Sequence, residues 1–173
     1  TYDRERVDAA DENLRNSTRS TDFITPKSAM SRTFRDAVLS LARKYPFARR
    51  LVNSGRLSVP AVLHDSPLNT RDTTEFAGAM VPGTVAADAP VHGPHGDWLL
   101  DYLGGGFVLL AFGNVVPAAA AHALENDATG CRVVTVGGAA GEGRVVLHDA
   151  QGLLAQRYDG RDGTCYLLRP DQH

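Results

Sequence analysis

Residues 107–136 of the 173-residue chain read FVLLAFGNVVPAAAAHALENDATGCRVVTV, and they determine its architecture. The run from Phe107 to Phe112 is apolar throughout, which predicts a strand buried on both faces. The alanine-rich run from Pro117 to Asn126 predicts a helix, because proline is well tolerated in a first turn. Arg132 to Val136 predicts a second buried strand. A strand, a helix and a strand in succession predict an α/β fold with at least partly parallel strands.

Further elements extend this pattern on both sides. A short amphipathic helix is predicted from Trp98 to Leu103, stopped by three consecutive glycines. Val145 to Leu147 is either a third strand or the approach to a helix. We predict a helix from Ala150 to Tyr158, capped by Asp149, and a last strand from Thr164 to Leu168.

The segment from Ser58 to Pro94 is long, irregular and rich in proline and glycine. Short strands are predicted within it at Val59–Leu63 and Thr84–Ala86. Loops of this length are often functional or lie at interfaces.

The first 58 residues differ from the rest, since they carry 12 Lys and Arg against 7 Asp and Glu, while residues 59–173 carry 6 against 13. Helices are predicted from Tyr2 to about Ser17, from Ser28 or Ser31 to Tyr45, and from about Phe47 to Val52, with a connector at Ser20–Ser28 and a helix end at Gly55. The second helix carries an apolar stripe of Met30, Phe34, Ala37, Val38 and Leu41. The first has only a thin stripe, and a lone helix of this kind is marginal in water. We therefore predict a domain boundary between residues 58 and 59, and we interpret the chain as a piece of a larger protein.

Composition excludes several function classes. The net charge of −2 does not favour a nucleic-acid partner, and no apolar run reaches the ~20 residues that a membrane span needs. Cys131 and Cys165 form neither a disulfide framework nor a C-x-x-C pair. Both lie in apolar strand-like runs, so we expect inert, buried thiols in a reducing cytoplasm.

No pattern predicts a catalytic, cofactor-binding or metal-binding residue. The glycine-rich residues 136–143 precede a strand-like run rather than a helix, which favours a turn over a phosphate loop. His92, His95 and Asp97 lie close together on a Pro/Gly loop. The two histidines have no firm third ligand there, which favours a solvated loop over a metal site. There is no G-x-S-x-G, and Asp72, Glu75 and Asp88 have no spacing that fixes a carboxylate pair.

Several segments nevertheless resemble one enzyme family. Tyr2-Asp3-Arg4-Glu5-Arg6, followed by Ala9 to Asn13, resembles the Y-x-x-E-R…A…N helix of FAD-dependent aromatic hydroxylases, the single-component flavin monooxygenases that include phenol and 3-hydroxyphenylpropionate hydroxylases. The resemblance covers nearly the whole chain and continues through these pieces: Ser20–Pro26, Phe47–Leu51, Pro82-Gly83, Ala87–Pro90, Phe107–Gly113, Tyr158–Gly160 and Tyr166–His173.

The resemblance implies a C-terminal part of such an enzyme. Residues 1–58 would be the helical tail of the missing FAD and substrate domain, and residues 59–173 its thioredoxin-like C-terminal domain. FAD and NAD(P)H would serve the full-length enzyme, which would hydroxylate an aromatic small molecule. The family's flavin motifs are absent from the chain, so no catalytic or flavin-contacting residue is carried over, and we expect the piece alone to bind no cofactor and to be inactive. Its partners would be the N-terminal FAD domain of the same chain and a possible second subunit.

Two other functions stay open at this point. The chain could be a non-catalytic dimerisation or binding module of thioredoxin-like fold. It could also be an independent thiol enzyme, for which the two cysteines are the only support.

Overall fold

The computed structural model describes residues 2–52, 60–138 and 144–173, without the side chain of Leu51. The chain divides into two compact units, residues 1–69, here the helical unit, and residues 70–173, here the sheet unit. The predicted helix end at Gly55 and the predicted boundary after Ser58 lie outside the described residues. The division at 58/59 therefore stays a prediction.

The helical unit contains α1 (Tyr2–Ile24), α2 (Ala29–Lys44) and α3 (Pro46–Val52). The predicted end of α1 near Ser17 is wrong, because the helix runs through most of the expected connector. Thr25 still donates its backbone N–H to the carbonyl of Thr21 at 2.8 Å. Pro26 then prevents a further helical turn, since it disfavours helical geometry in the residue before it.

The start of α2 follows the prediction. Ser28 is the N-cap, with extended backbone geometry, and its Oγ accepts a hydrogen bond from the N–H of Ser31 at 3.1 Å. Arg43 and Lys44 lie in the last turn, where cations are favoured by the helix dipole. Tyr45 is the C-cap of the helix and directly precedes the proline that begins α3.

The sheet unit is built on four strands in the order β3-β2-β1-β4. Their bounds are Val108–Phe112 for β1, Arg132–Val136 for β2, Val145–Leu147 for β3 and Cys165–Leu168 for β4. β1 pairs in parallel with β2, and β2 with β3, whereas β4 pairs antiparallel with β1. Helices α4 (Ala118–Asn126) and α5 (Leu153–Tyr158) complete the unit. The α/β class with partly parallel strands is thereby confirmed.

The core lies on one face of this sheet. Alternate residues of the strands join a short 3-10 helix, Leu99–Tyr102, and two fully buried residues of α5, Leu154 and Tyr158. On β2 the intervening residues Val133 and Thr135 are buried as well, so this strand is covered on both faces and the prediction of a second buried strand is confirmed.

Three local predictions are wrong. Described residues 60–63 and 84–86 form no strand; the segment before the 3-10 helix contributes isolated bridges instead, between Pro90 and Trp98 and between His92 and His148. Asp149 is not the N-cap of α5, because Gly152 occupies that position with φ of 67°. The carboxylate of Asp149 still accepts the N–H of Ala155 at 2.8 Å, so it satisfies a first-turn donor from outside the helix.

Candidate functional site

An open groove of about 240 Å³ lies in the helical unit, between α1 and residues 61–66. Glu5 forms its floor and is only 7% exposed, although most of α1 is in contact with solvent. Its carboxylate accepts a hydrogen bond from Ser66 Oγ at 2.5 Å, and Ser66 is buried too. Burying a carboxylate is costly unless it is hydrogen-bonded, so this contact fixes residues 61–66 on the helix.

The loop that carries Ser66 is ordered by its own hydrogen bonds. Ser66 Oγ accepts the N–H of Leu68 at 3.2 Å, and the side-chain amide of Asn69 donates to the carbonyl of Leu63 at 2.7 Å. The rim of the groove mixes Arg4 and Arg15 with several carboxylates, among them Asp8, Asp11, Glu12 and Asp65. The Ser66 hydroxyl that faces Glu5 also holds the N–H of Leu68, so the Ser66–Glu5 pair serves as an anchor for the loop.

The apolar stripe on α2 is largely exposed among the described residues of the helical unit. Val38 is buried, but Met30 is 83% and Phe34 is 64% exposed, and Leu41 is exposed as well. Phe47 of α3 is also exposed, and its ring lies 5.9 Å from that of Tyr45. The predicted stripe is thus present, and within the described helical unit most of it has no cover.

The residues His92, His95 and Asp97 form a structured loop. The Tyr102 hydroxyl accepts the N–H groups of His95 and Gly96 at 3.0 and 2.9 Å and donates to the Gly96 carbonyl at 2.8 Å. His92 Nδ1 lies 3.6 Å from an Asp97 carboxylate oxygen, with both side chains largely exposed. Across the described residues, no three His, Cys, Asp or Glu side chains are placed to hold a metal ion together.

The two cysteines differ in exposure. Cys131 is buried, as predicted, whereas Cys165 is exposed, so the prediction of a buried thiol is wrong there. As the first residue of β4, Cys165 lies next to the turn that leads into the strand. Partial burial raises the pKa of both thiols above the usual value, which disfavours the nucleophilic thiolate. A thiol enzyme is therefore not supported.

The motif Tyr158-Asp159-Gly160, from which the sequence predicted no role, holds an irregular segment onto the sheet unit. Tyr158 donates its hydroxyl to the Ala87 carbonyl at 2.9 Å. Asp159 accepts the N–H of Ala77 at 2.9 Å; this bond, and then one from a neighbouring arginine, lower the pKa of its carboxyl. A Cβ at Gly160 would overlap the ring of Phe112. Each residue of the motif thus has a structural reason.

Sequence reasoning missed Glu5, Ser66 and Tyr158 as anchors. Their partners lie 61 residues away for Glu5 and 71 for Tyr158, so no local pattern could show the contacts. The only available signal was that Glu5 and Tyr158 fall within the motifs that carry the family resemblance.

In the part of the chain that the structure describes, no helix has the length and hydropathy to cross a bilayer.

Comparison with known proteins gives a result for structure but not for sequence. No protein-family profile matches the chain, and no curated protein sequence matches it. The rebeccamycin biosynthetic enzyme RebC, solved with reduced flavin, superposes on 100% of the chain with a TM-score of 0.61 at 22% identity. The chain has the fold of one segment of a flavin enzyme. The predicted resemblance is confirmed at that level.

Two further solved structures are similar. The flavin-dependent monooxygenase PieE, in complex with FAD and substrate, matches 88% of the chain with a TM-score of 0.52 at 20% identity. An aklavinone-11 hydroxylase, in a ternary complex with FAD and aklavinone, matches 53% of the chain at 30% identity with a low TM-score of 0.40. The chain spans 31% of RebC, 27% of PieE and 16% of the hydroxylase. It thus corresponds to a minor part of each of these enzymes.

Proposed function

We propose that the chain is the C-terminal part of an FAD-dependent, NAD(P)H-using monooxygenase that hydroxylates an aromatic ring. The observation that carries the proposal is the match to RebC over the full length of the chain, since that structure contains reduced flavin. The order of sequence motifs from Tyr2 to His173 supports the same enzyme class independently.

The described residues do not fit FAD themselves. A dinucleotide site needs a glycine-rich turn between a strand and a helix, so that backbone N–H groups face the phosphates. The described turn after β1, Gly113 to Pro117, has one glycine, and the helix after it is capped by a proline without a side-chain hydrogen bond. FAD would therefore bind to a part of the enzyme outside these residues, and we derive no catalytic step from this chain.

Within such an enzyme, we assign the sheet unit a structural role in a thioredoxin-like fold. The parallel pairing of β1 with β2 and the antiparallel pairing of β4 with β1 support the thioredoxin-like fold. The absence of a C-x-x-C from the sequence supports the structural role. The raised pKa of both thiols also argues against a redox function. A cytoplasmic location fits such free thiols.

The apolar stripe on α2 is, in this proposal, where the helical unit packs on the remainder of the enzyme. Exposed side chains as large as Met30 and Phe34 on one helix face are typical of an interface. More than two thirds of RebC lies outside the region that the chain matches, so such an enzyme has ample protein to cover the stripe.

The test compares the 173-residue chain with a longer natural polypeptide that contains it. We expect the longer protein to purify with flavin absorbance and to couple NAD(P)H oxidation to hydroxylation of an aromatic compound, while the chain alone does not retain added FAD. A longer protein without flavin, or stoichiometric FAD binding by the chain alone, would contradict the proposal.

A matched pair of variants tests the stripe in the longer protein. Phe34→Asp should lower its thermal stability, whereas Leu39→Asp should change it less. Leu39 is also exposed, but at 100° per residue it lies 140° around α2 from Phe34. Equal effects of the two substitutions would remove the argument for an interface on this face.

The same stripe favours a second candidate, a dimerisation module. Sedimentation velocity of the 173-residue chain distinguishes the two. A dimer that Phe34→Asp dissociates, and Leu39→Asp does not, would place a second copy on the stripe.

A further inference from the structure

We propose that His92 and His148 form a binding site for a divalent transition metal ion such as Cu²⁺, Ni²⁺ or Zn²⁺. This site lies in the sheet unit and is independent of the proposed flavin chemistry. It is built from two residues that are far apart in sequence and directly opposite each other in the fold.

The backbone places the two side chains together. His92 donates its N–H to the carbonyl of His148 at 2.9 Å, and His148 returns the same bond to His92 at 2.9 Å. Residues paired in this way on antiparallel segments carry their side chains on the same face, with Cβ atoms about 5 Å apart. Two imidazoles at this separation can reach one ion that lies about 2 Å from each nitrogen.

The scaffold behind the pair is rigid. Val91 and Leu147, which precede the two histidines, are buried in the core. The N–H of Val91 donates to the carbonyl of Asp97 at 2.9 Å, and the Tyr102 hydroxyl holds the intervening loop by its three hydrogen bonds. The backbone positions of the two histidines are therefore fixed before an ion arrives, so binding has to order only the two side chains.

Asp97 lies beside His92 and would orient its imidazole ring without binding the ion itself. Its carboxylate lies 3.6 Å from Nδ1 of His92. A carboxylate beside one ring nitrogen is the usual way in which proteins orient a metal-binding imidazole, and it favours coordination through Nε2. Both histidines are exposed, so an ion can enter and water can fill the remaining positions. Imidazole pairs favour copper, nickel and zinc over magnesium and calcium.

The proposal is compatible with the lack of a three-ligand cluster among the described residues. With only two protein ligands, the ion would be bound more weakly than in a closed structural site. Its effect would be to cross-link the loop at residues 92–97 to the end of β3.

The chain contains its own reporter for the test. Trp98 is the only tryptophan, and it directly follows Asp97. Titrating the untagged chain with Cu²⁺ should quench Trp98 fluorescence with saturation at one ion per chain. Electron paramagnetic resonance of the copper complex should show two nitrogen donors. Saturating Ni²⁺ should raise the melting temperature, because the ion binds only the folded pair.

His148→Ala is the decisive variant. His148 is distant from Trp98 in sequence and is brought near it only by the β-bridge between His92 and His148. It should lose the saturable quenching, as should His92→Ala. The control His95→Ala should keep it, because His95 is closer to Trp98 in sequence but does not lie across the bridge from His148. Trp98 emission and circular dichroism without metal would confirm that the variants fold. If His148→Ala does not fold, His148→Gln takes its place.

Unchanged quenching in a folded His148 variant would overturn the proposal. So would equal loss in His95→Ala, or quenching that never saturates in the unsubstituted chain. None of these outcomes would affect the proposed monooxygenase function, which is tested by flavin content.

Discussion

The substitution Tyr158→Phe tests the role of the Tyr158 hydroxyl in the sheet unit. Tyr158 is fully buried, and its hydroxyl is the donor to the carbonyl of Ala87. Phenylalanine keeps the ring packing on Tyr166, whose ring meets it edge-on at 5.1 Å, but leaves the carbonyl without this donor. An unsatisfied buried polar group costs about 1–3 kcal/mol, so we expect the free energy of unfolding to fall by that amount.

Urea unfolding followed by Trp98 fluorescence is the suitable assay, because Trp98 also belongs to the sheet unit. The midpoint should fall while the slope with urea stays constant, since the exposed area on unfolding is unchanged. Tyr45→Phe, in the helical unit, is a control for removing an exposed tyrosine hydroxyl, and it should change the midpoint little. A loss below about 0.5 kcal/mol for Tyr158→Phe, within the range of ordinary surface substitutions, would refute the reasoning.

Three further outcomes follow from the same unit. Gly160→Ala should lower the unfolding free energy by about 1–3 kcal/mol, because its Cβ would overlap the Phe112 ring, whereas Gly106→Ala, with open space around it, should not; equal melting temperatures would contradict this. Burial, with smaller effects from nearby carboxylates, raises the pKa of Tyr166 to about 12. Stability should therefore fall between about pH 10 and 12, where the unfolded state has released this proton and the folded state has not, and Tyr166→Phe should reduce the fall in pH-dependent melting. Cys165 should react with a thiol reagent at neutral pH no faster than a free cysteine, because its pKa is raised; a faster reaction would revive the thiol enzyme.

The central part of the fold was predictable because its signals are local. The continuous apolar run before Gly113 predicted β1 to within one residue, and the run at Arg132–Val136 gave the bounds of β2. Such runs arise wherever a strand is covered on both faces. The caps are local too, which is why the predicted start of α2 at Ser28 or Ser31 includes the observed N-cap, Ser28.

The wrong predictions and the missed contacts concern features that depend on residues outside the local segment. The burial of Glu5 depends on Ser66, and the cap of α5 depends on a carboxylate outside the helix. Val59–Leu63 and Thr84–Ala86 have strand-like composition, yet their described residues form no strand. Propensity describes how a residue fits a pleated surface, and without a paired neighbour it does not produce a strand.

The pairing of the irregular segment with the motif Tyr158-Asp159-Gly160 has a consequence for the order of folding. The hydrogen bonds from Ala77 to Asp159 and from Tyr158 to Ala87 close loops of 82 and 71 residues. Closing such loops costs entropy before any contact is gained, which slows folding. During synthesis residues 77–87 leave the ribosome long before Tyr158 and Asp159 exist. They must therefore wait without these two hydrogen bonds, accessible to proteases and chaperones, until the residues around Tyr158 have emerged.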